Sequence, residues 1–231
     1  MTTIDLALDG PVTAADVAAV AAAAPARLLL WSDAAIERET GKPARFPLAE
    51  RRYLAERMKG VAAVGVTEEV TVDRPSVELP EPPVGIIGTR RRVLVTGCFD
   101  LFHAGHLRFF EEAREAGNGE LHVVVGHDAN IRLLKGEGRP LVDERQRRAI
   151  CDAFTPVTQA HVSTGDGWLD AEPEVERLRP SVYVVNHDGD RPEKAEFCRA
   201  RGIEYVVLAR RPAPGLKARS STDLRSETPG V

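Results

Sequence analysis

Apolar residues come in two arrangements along this chain. Near-continuous runs at 93–97 (VLVTG), 121–126 (LHVVVG), 182–186 (VYVVN) and 205–209 (YVVLA) read as strands buried on both faces. The segments between them carry apolar residues at helical spacing. This pattern predicts strands at 92–96, 121–126, 160–162, 182–185 and 204–208, and helices near 106–115, 143–153, 192–201 and 220–225. Upstream it predicts strands at 4–8, 27–31 and 62–66, and helices near 13–23 and 47–58. Thr13 is a fitting N-cap, and Pro47 suits a first helical turn. Strand and helix alternate throughout, which implies an α/β fold with a doubly wound parallel sheet.

The alternation breaks at 67–91, TEEVTVDRPSVELPEPPVGIIGTRR, where Pro75, Pro80, Pro82 and Pro83 oppose regular structure. This stretch is expected to be a linker with at most a short strand at 70–72. It separates a smaller N-terminal α/β domain (1–66) from a larger one (92–231). Residues 28–66 can be laid against 123–162. Asp33 then meets Asp128, Lys42 falls near Lys135, and the proline–leucine pairs at Pro47 and Pro140 meet. Either the chain is duplicated and the first domain is a degenerate copy, or two ordinary amphipathic helices follow two buried strands.

Composition narrows the class. Hydrophobic residues make up 43% and charged residues 29%, with net charge -4, as in an ordinary globular protein. Nucleic acid and anionic membranes favour a basic face, so neither is expected as a partner. A nucleotide needs only a local cation cluster. The apolar run 14–30 is interrupted by Asp16, Pro25 and Arg27, so no membrane span is expected. Cys98, Cys151 and Cys198 match no zinc or CxxC spacing, and the N-terminus lacks a basic region followed by an apolar one. Reduced thiols and a cytoplasmic location are the expectation.

The chemistry concentrates at 93–110, VLVTGCFDLFHAGHLRFF. A buried strand ends at Gly97, a turn carries Cys98, Phe99 and Asp100, and His103-Ala104-Gly105-His106 opens a helix. A helix start presents unpaired N–H groups and the positive end of the dipole, where phosphates bind. Histidines three residues apart lie on one side of the first turn and can each donate to a phosphate oxygen. Gly97 and Gly105 allow close backbone approach.

This stretch resembles the HxGH signature of the nucleotidyltransferase superfamily, within the wider pattern GxFDxxHxGH. The resemblance implies a Rossmann-like nucleotidyltransferase fold. It gives His103 and His106 catalytic roles and places Gly97, Cys98, Phe99, Asp100 and Gly105 around the nucleotide. Lys135-Gly136 and Arg139-Pro140 resemble the family's lysine loop, and Arg147 falls at the arginine that follows it; both cations are implied as catalytic. Arg145 and Arg148 read better as a solvated helix face. The segment Arg219-Ser220-Ser221-Thr222 resembles the family's ISTT motif, with Arg219 in place of an apolar residue. It implies Ser220, Ser221 and Thr222 at the β- and γ-phosphates, though hydroxyls at a helix start also act as plain caps. The family's upstream arginine falls at Arg210 or Arg211, and Arg211 is taken. For the acceptor, His187-Asp188 resembles a pair in choline-phosphate cytidylyltransferases. Trp168 falls near a family tryptophan close to the acceptor, where an indole face can hold a cation; in the plainer reading it caps the core edge.

What the resemblance implies is in-line attack by an acceptor phosphate on the α-phosphorus of a nucleoside triphosphate. Magnesium would be carried in by the nucleotide, with no protein metal site. The favoured reaction is CMP transfer from CTP to a phosphorylated or phosphonylated small molecule, as in glycerol-3-phosphate, choline-phosphate and ethanolamine-phosphate cytidylyltransferases. The alternative is AMP transfer from ATP to a sugar phosphate or similar acceptor. LLKGEGRP resembles the heptose-phosphate adenylyltransferases, and archaeal FAD synthetases share the layout. A reading of another class is a non-catalytic nucleotide sensor. A dehydrogenase is excluded because no GxGxxG follows a strand. A class I aminoacyl-tRNA synthetase fragment is excluded because the chain is short and lacks a KMSKS-like loop. The first domain reads LDGPVTAADV at 8–17, without imidazoles. It is expected to make a pseudo-dimer within the chain, to close over the acceptor site, or to take part in a homodimer.

Overall fold

A computed structural model describes residues 1–71 and 78–226. The N-terminal half runs β1 (Thr2–Leu6), α1 (Ala14–Ala23), β2 (Ala26–Trp31), α2 (Asp33–Thr40), α3 (Leu48–Ala55) and β3 (Val61–Thr67). Its strands form a 3-stranded parallel sheet in the order β1-β2-β3. The C-terminal half runs β4 (Arg92–Gly97), α4 (Ala104–Gly117), β5 (Glu120–Val125), α5 (Asp128–Lys135), α6 (Glu144–Asp152), β6 (Val157–Val162), α7 (Glu172–Leu178), β7 (Val182–Asn186), α8 (Pro192–Ala200), β8 (Glu204–Leu208) and α9 (Ser221–Ser226). Its sheet is parallel, 5-stranded, and ordered β6-β5-β4-β7-β8. The winding direction reverses between β4 and β7. In such sheets the ligand crevice opens at that point, beyond the carboxyl ends of the strands.

Alternating strand residues sort the core onto the two faces. Val93, Val95, Val123 and Val125 join Phe110 of α4 and Ile150 of α6 on one face. Leu94, Val124, Tyr183 and Val185 join Val175 and Leu178 of α7 and Phe197 of α8 on the other. The first cluster continues without a break into Leu6, Leu28, Leu30 and Leu54 of the N-terminal half. The linker is tied along β6: Gln159 donates to the carbonyls of Gly85 and Pro83 and accepts from the Ile87 N–H. The expected strand at 70–72 does not form at Val70 and Thr71, and Val72 lies outside the described residues. Helices α2, α5 and α7 lie where the sequence pattern predicted none.

The halves meet around a short antiparallel bridge between Met58 and Phe154. Lys59 N–H donates to the Ala153 carbonyl (2.7 Å), and Thr155 N–H donates to the Arg57 carbonyl (2.8 Å). Exchanging the halves turns one bond into the other. The helices obey the same relation, since α1 packs on α6 and α3 packs on α4.

Their interiors also correspond. Arg51 is fully buried and donates to the carbonyls of Phe46, Ala7 and Trp31 and to the Asp33 carboxylate. Arg147 is fully buried and donates to the carbonyls of Val142, Cys98 and Gly126 and to Asp128. Asp9 accepts from the Phe46 N–H, and Asp100 from the N–H groups of Leu141 and Val142. Leu8 and Phe99, each just before its aspartate, both have positive φ, 48° and 51°. This geometry keeps Asp33 against Asp128 but changes the rest of the expected alignment. Pro47 stands against Asp143, each the N-cap of its helix, and not against Pro140. Counting from the matched aspartates, Thr40, not Lys42, ends its helix at the position of Lys135.

Candidate functional site

A cavity of about 240 Å³ lies at the carboxyl ends of β4 and β7. It is lined by Gly97, Cys98 and Phe99 of the first turn, by His103, Gly105 and His106 of α4, by Lys135, by Asn186 and Asp188, and by Lys194 and Arg210. The turn is shaped by two constraints. A Cβ on Gly97 would come within 2.8 Å of the Phe99 ring, so only glycine fits there. Phe99 holds a left-handed backbone, a strained state for a non-glycine residue that costs about 1 kcal/mol. Its ring packs edge-on against His106 and Phe110, which holds it in place.

His103 is the N-cap of α4, and its Nδ1 accepts from the Gly105 N–H at 3.0 Å. A neutral imidazole whose Nδ1 accepts carries its hydrogen on Nε2. That Nε2 is buried without a partner among the described residues, and so is Nδ1 of His106. The two rings stack with centroids 4.1 Å apart. Burial, with the positive charges of Arg210 and Arg219 adding to it, lowers the His103 pKa to about 3. Burial pushes His106 well below the usual histidine value, helped by His103, Arg210 and Lys135. Both rings are therefore neutral at pH 7 and face a cavity rimmed by cations. A buried donor without a partner costs roughly 1–3 kcal/mol, which a bound oxyanion would recover.

Cations approach from separate elements. Lys135 ends α5. Lys194 on α8 has its pKa lowered, chiefly by burial, and lies 6.0 Å from the Tyr183 ring centre. Arg210 donates to Asp188 (3.1 Å) and to the Arg219 carbonyl (2.8 Å). Lys194 lies in no motif of the sequence, and the arginine at the cavity is Arg210 and not the expected Arg211. Arg211 instead lines a different crevice with Arg108, Glu112 and Val207.

Other expected site residues lie elsewhere or act differently. Asp100 is buried and holds the loop 139–142 through Leu141, Val142 and the Arg139 guanidinium; it does not line the cavity. Arg147, expected to be catalytic, has no exposed surface and aims four of its N–H groups at three carbonyls and Asp128. It ties the ends of β4 and β5 together beneath Cys98. Trp168 is 54% exposed, with the Arg191 guanidinium 4.9 Å from its ring centre, away from the cavity lining. His187 is exposed beside the rim, while its neighbour Asp188 faces in. Ser220 caps α9 with Asp223, and Thr222 accepts from Arg225. This segment does not line the cavity but touches its wall: a Cβ on Gly105 would sit 3.5 Å from the Arg219 carbonyl. Among the described residues, no cluster of three or more His, Cys, Asp or Glu side chains is placed to hold a metal, and no helix is long and apolar enough to cross a membrane. The three cysteines are free thiols.

A doubly wound sheet whose first βα turn carries an imidazole pair beneath a cationic cavity defines a class of proteins that move nucleotidyl groups. The model of the cytidylyltransferase-like family matches residues 94–227, and the chain belongs to that family of nucleotidyltransferases. It is 39% identical over 119 residues to an FAD synthase of Aciduliprofundum boonei, covering 51% of this chain and 76% of the relative. It is 36% identical over 132 residues to an FAD synthase of Methanoculleus marisnigri, covering 56% and 84%. A shorter match, 52% over 67 residues, is to the bifunctional protein HldE of Alkalilimnicola ehrlichii, covering 29% of this chain and 14% of that protein.

Proposed function

We propose that this chain is an ATP-dependent adenylyltransferase that transfers AMP to a phosphorylated small molecule, with a flavin mononucleotide-like phosphate the foremost acceptor. The observation that carries this reading is the pair of neutral, partnerless imidazole nitrogens of His103 and His106 facing Lys135, Lys194 and Arg210. Support for ATP over the CTP expected from the sequence comes from the relatives, which are named FAD synthases.

In this reading an acceptor phosphate oxygen attacks the α-phosphorus. The bond from that phosphorus to the bridging oxygen breaks, and pyrophosphate leaves with the electron pair. His103, through Nε2–H, and His106 donate hydrogen bonds to phosphate oxygens whose charge rises in the transition state. Lys135 and Arg210 neutralise the triphosphate. Lys194 and Asp188 face the acceptor side. Arg147 acts indirectly, by fixing the Cys98 turn. Magnesium bound to the triphosphate would add charge neutralisation; the cavity offers Asn186 and Asp188 but no carboxylate cage, which suits a cation held mainly by phosphate oxygens.

The test is pyrophosphate release with magnesium, each of ATP and CTP, and a panel of flavin mononucleotide, sugar phosphates, phosphorylated alcohols and phosphonates. Release with ATP and flavin mononucleotide is expected. Release with CTP alone would restore the cytidylyl reading. Nucleotide binding without turnover across the panel would favour a sensor.

A further inference from the structure

The segment that follows β8 crosses back onto the N-terminal half and is held there. Arg219 donates from Nε to Glu50 Oε2 at 3.0 Å, its Nη2 lies 2.9 Å from the same oxygen, and Nη2 also donates to the Arg45 carbonyl at 3.3 Å. Its guanidinium stacks over the Phe46 ring at 4.5 Å. Arg45 in turn donates to the Leu224 carbonyl at 2.7 Å. Glu50 is only 2% exposed, with Oε1 unpartnered among the described residues. Burying a carboxylate is costly unless a cation meets it, so Glu50 fixes where Arg219 must sit.

From Arg219 the link runs to the cavity in one step. Its carbonyl accepts from Arg210 Nη2 and lies against the head of α4 at Gly105. Arg210 lines the cavity and holds Asp188 with its other nitrogen. The two-fold relation between halves puts Gln146, one residue before Arg147, at the position of Glu50, one residue before Arg51. Gln146 is only half-buried. After β3 the described N-terminal half has no counterpart of β7, β8 or α9, so this contact is one-sided.

We infer that the N-terminal half is a degenerate copy of the catalytic domain, and that its Glu50 is a positioning residue that sets Arg210 in the cavity through Arg219. This rests on the reading of the cavity as a triphosphate site. The half supplies no group to the reaction; it fixes a cation that the other half uses.

The experiment is steady-state kinetics and ATP titration on full-length Glu50→Leu, Glu50→Gln, Arg219→Met and the Glu50→Leu/Arg219→Met double variant. Glu50→Leu and Arg219→Met should each raise KM for ATP about tenfold with kcat little changed. The double variant should be no worse than either single. Glu50→Gln, whose amide oxygen still accepts from Arg219, should recover most of the loss. KM within twofold of wild type in Arg219→Met would overturn the positioning role, whether or not Glu50→Leu folds. So would single effects that simply add. Failure of the wild type to bind any nucleoside triphosphate would sink the functional reading itself.

Discussion

The two halves build the same framework and differ where chemistry would occur. Each has a positive-φ residue and an aspartate after its first strand, and each has a fully buried arginine under the ends of its first two strands. At the head of the next helix they part. The C-terminal half presents His103 and His106 with unpartnered nitrogens. The N-terminal half has Thr13 and Asp16, which satisfy each other in a capping box: Thr13 N–H donates to Asp16, and Asp16 N–H donates to Thr13 Oγ1. An internal carboxylate there takes the place an anion would need. Preserving the scaffold thus says little about activity, because the framework's hydrogen bonds hold without the reactive groups.

The sharpest test of the shared framework is loss of either arginine. Arg51→Ala and Arg147→Ala should each destabilise the fold by about 3–5 kcal/mol, since each leaves three carbonyls and a carboxylate unpaired. Chemical denaturation checks this, and a several-fold difference between the two would break the equivalence. At the helix heads the halves should diverge. His106→Ala should lower kcat about 10²–10³-fold, as for loss of a transition-state donor. Asp16→Ala should leave kcat within about twofold.

The histidine contribution to acid sensitivity should fall on one half only, because all six histidines lie in 103–187. Burial pushes His161 down to about 3 and His122 to about 4, where they face each other at 3.1 Å, with Arg177 against His161. Both folded values lie below the unfolded value near 6.5, so the native state binds fewer protons. Stability is unaffected above about pH 6.5 and falls as pH drops through the window toward 3. His161 alone should account for on the order of 2 kcal/mol by pH 5. Denaturation of His161→Gln at pH 7 and pH 5 should show a shallower decline than the wild type. Smallest of all, Thr13→Ala should cost about 1 kcal/mol of stability and leave turnover unchanged.

The strands were legible because burial on both faces writes itself as unbroken apolar runs, and the imidazole turn was legible because its glycines and histidines have fixed spacing. The short helices α2, α5 and α7, of seven or eight residues, were not, because so few turns carry little periodicity. Cations were the hardest to place. Arg147 and Lys135 look alike in a basic run, yet one faces backbone carbonyls and the other the cavity. Arg210 and Arg211 are neighbours after a strand and so point to opposite sides, a distinction that needed the backbone. Lys194 carries no motif; only the return of α8 beside Tyr183 of β7 brings it to the cavity.

The bridge at Met58 and Phe154 joins two surfaces of one polypeptide. Between separate chains, such a contact would obey mass action and loosen on dilution. Here the linker fixes the local concentration of one surface around the other, so their contact is set by chain length and not by how much protein the cell makes.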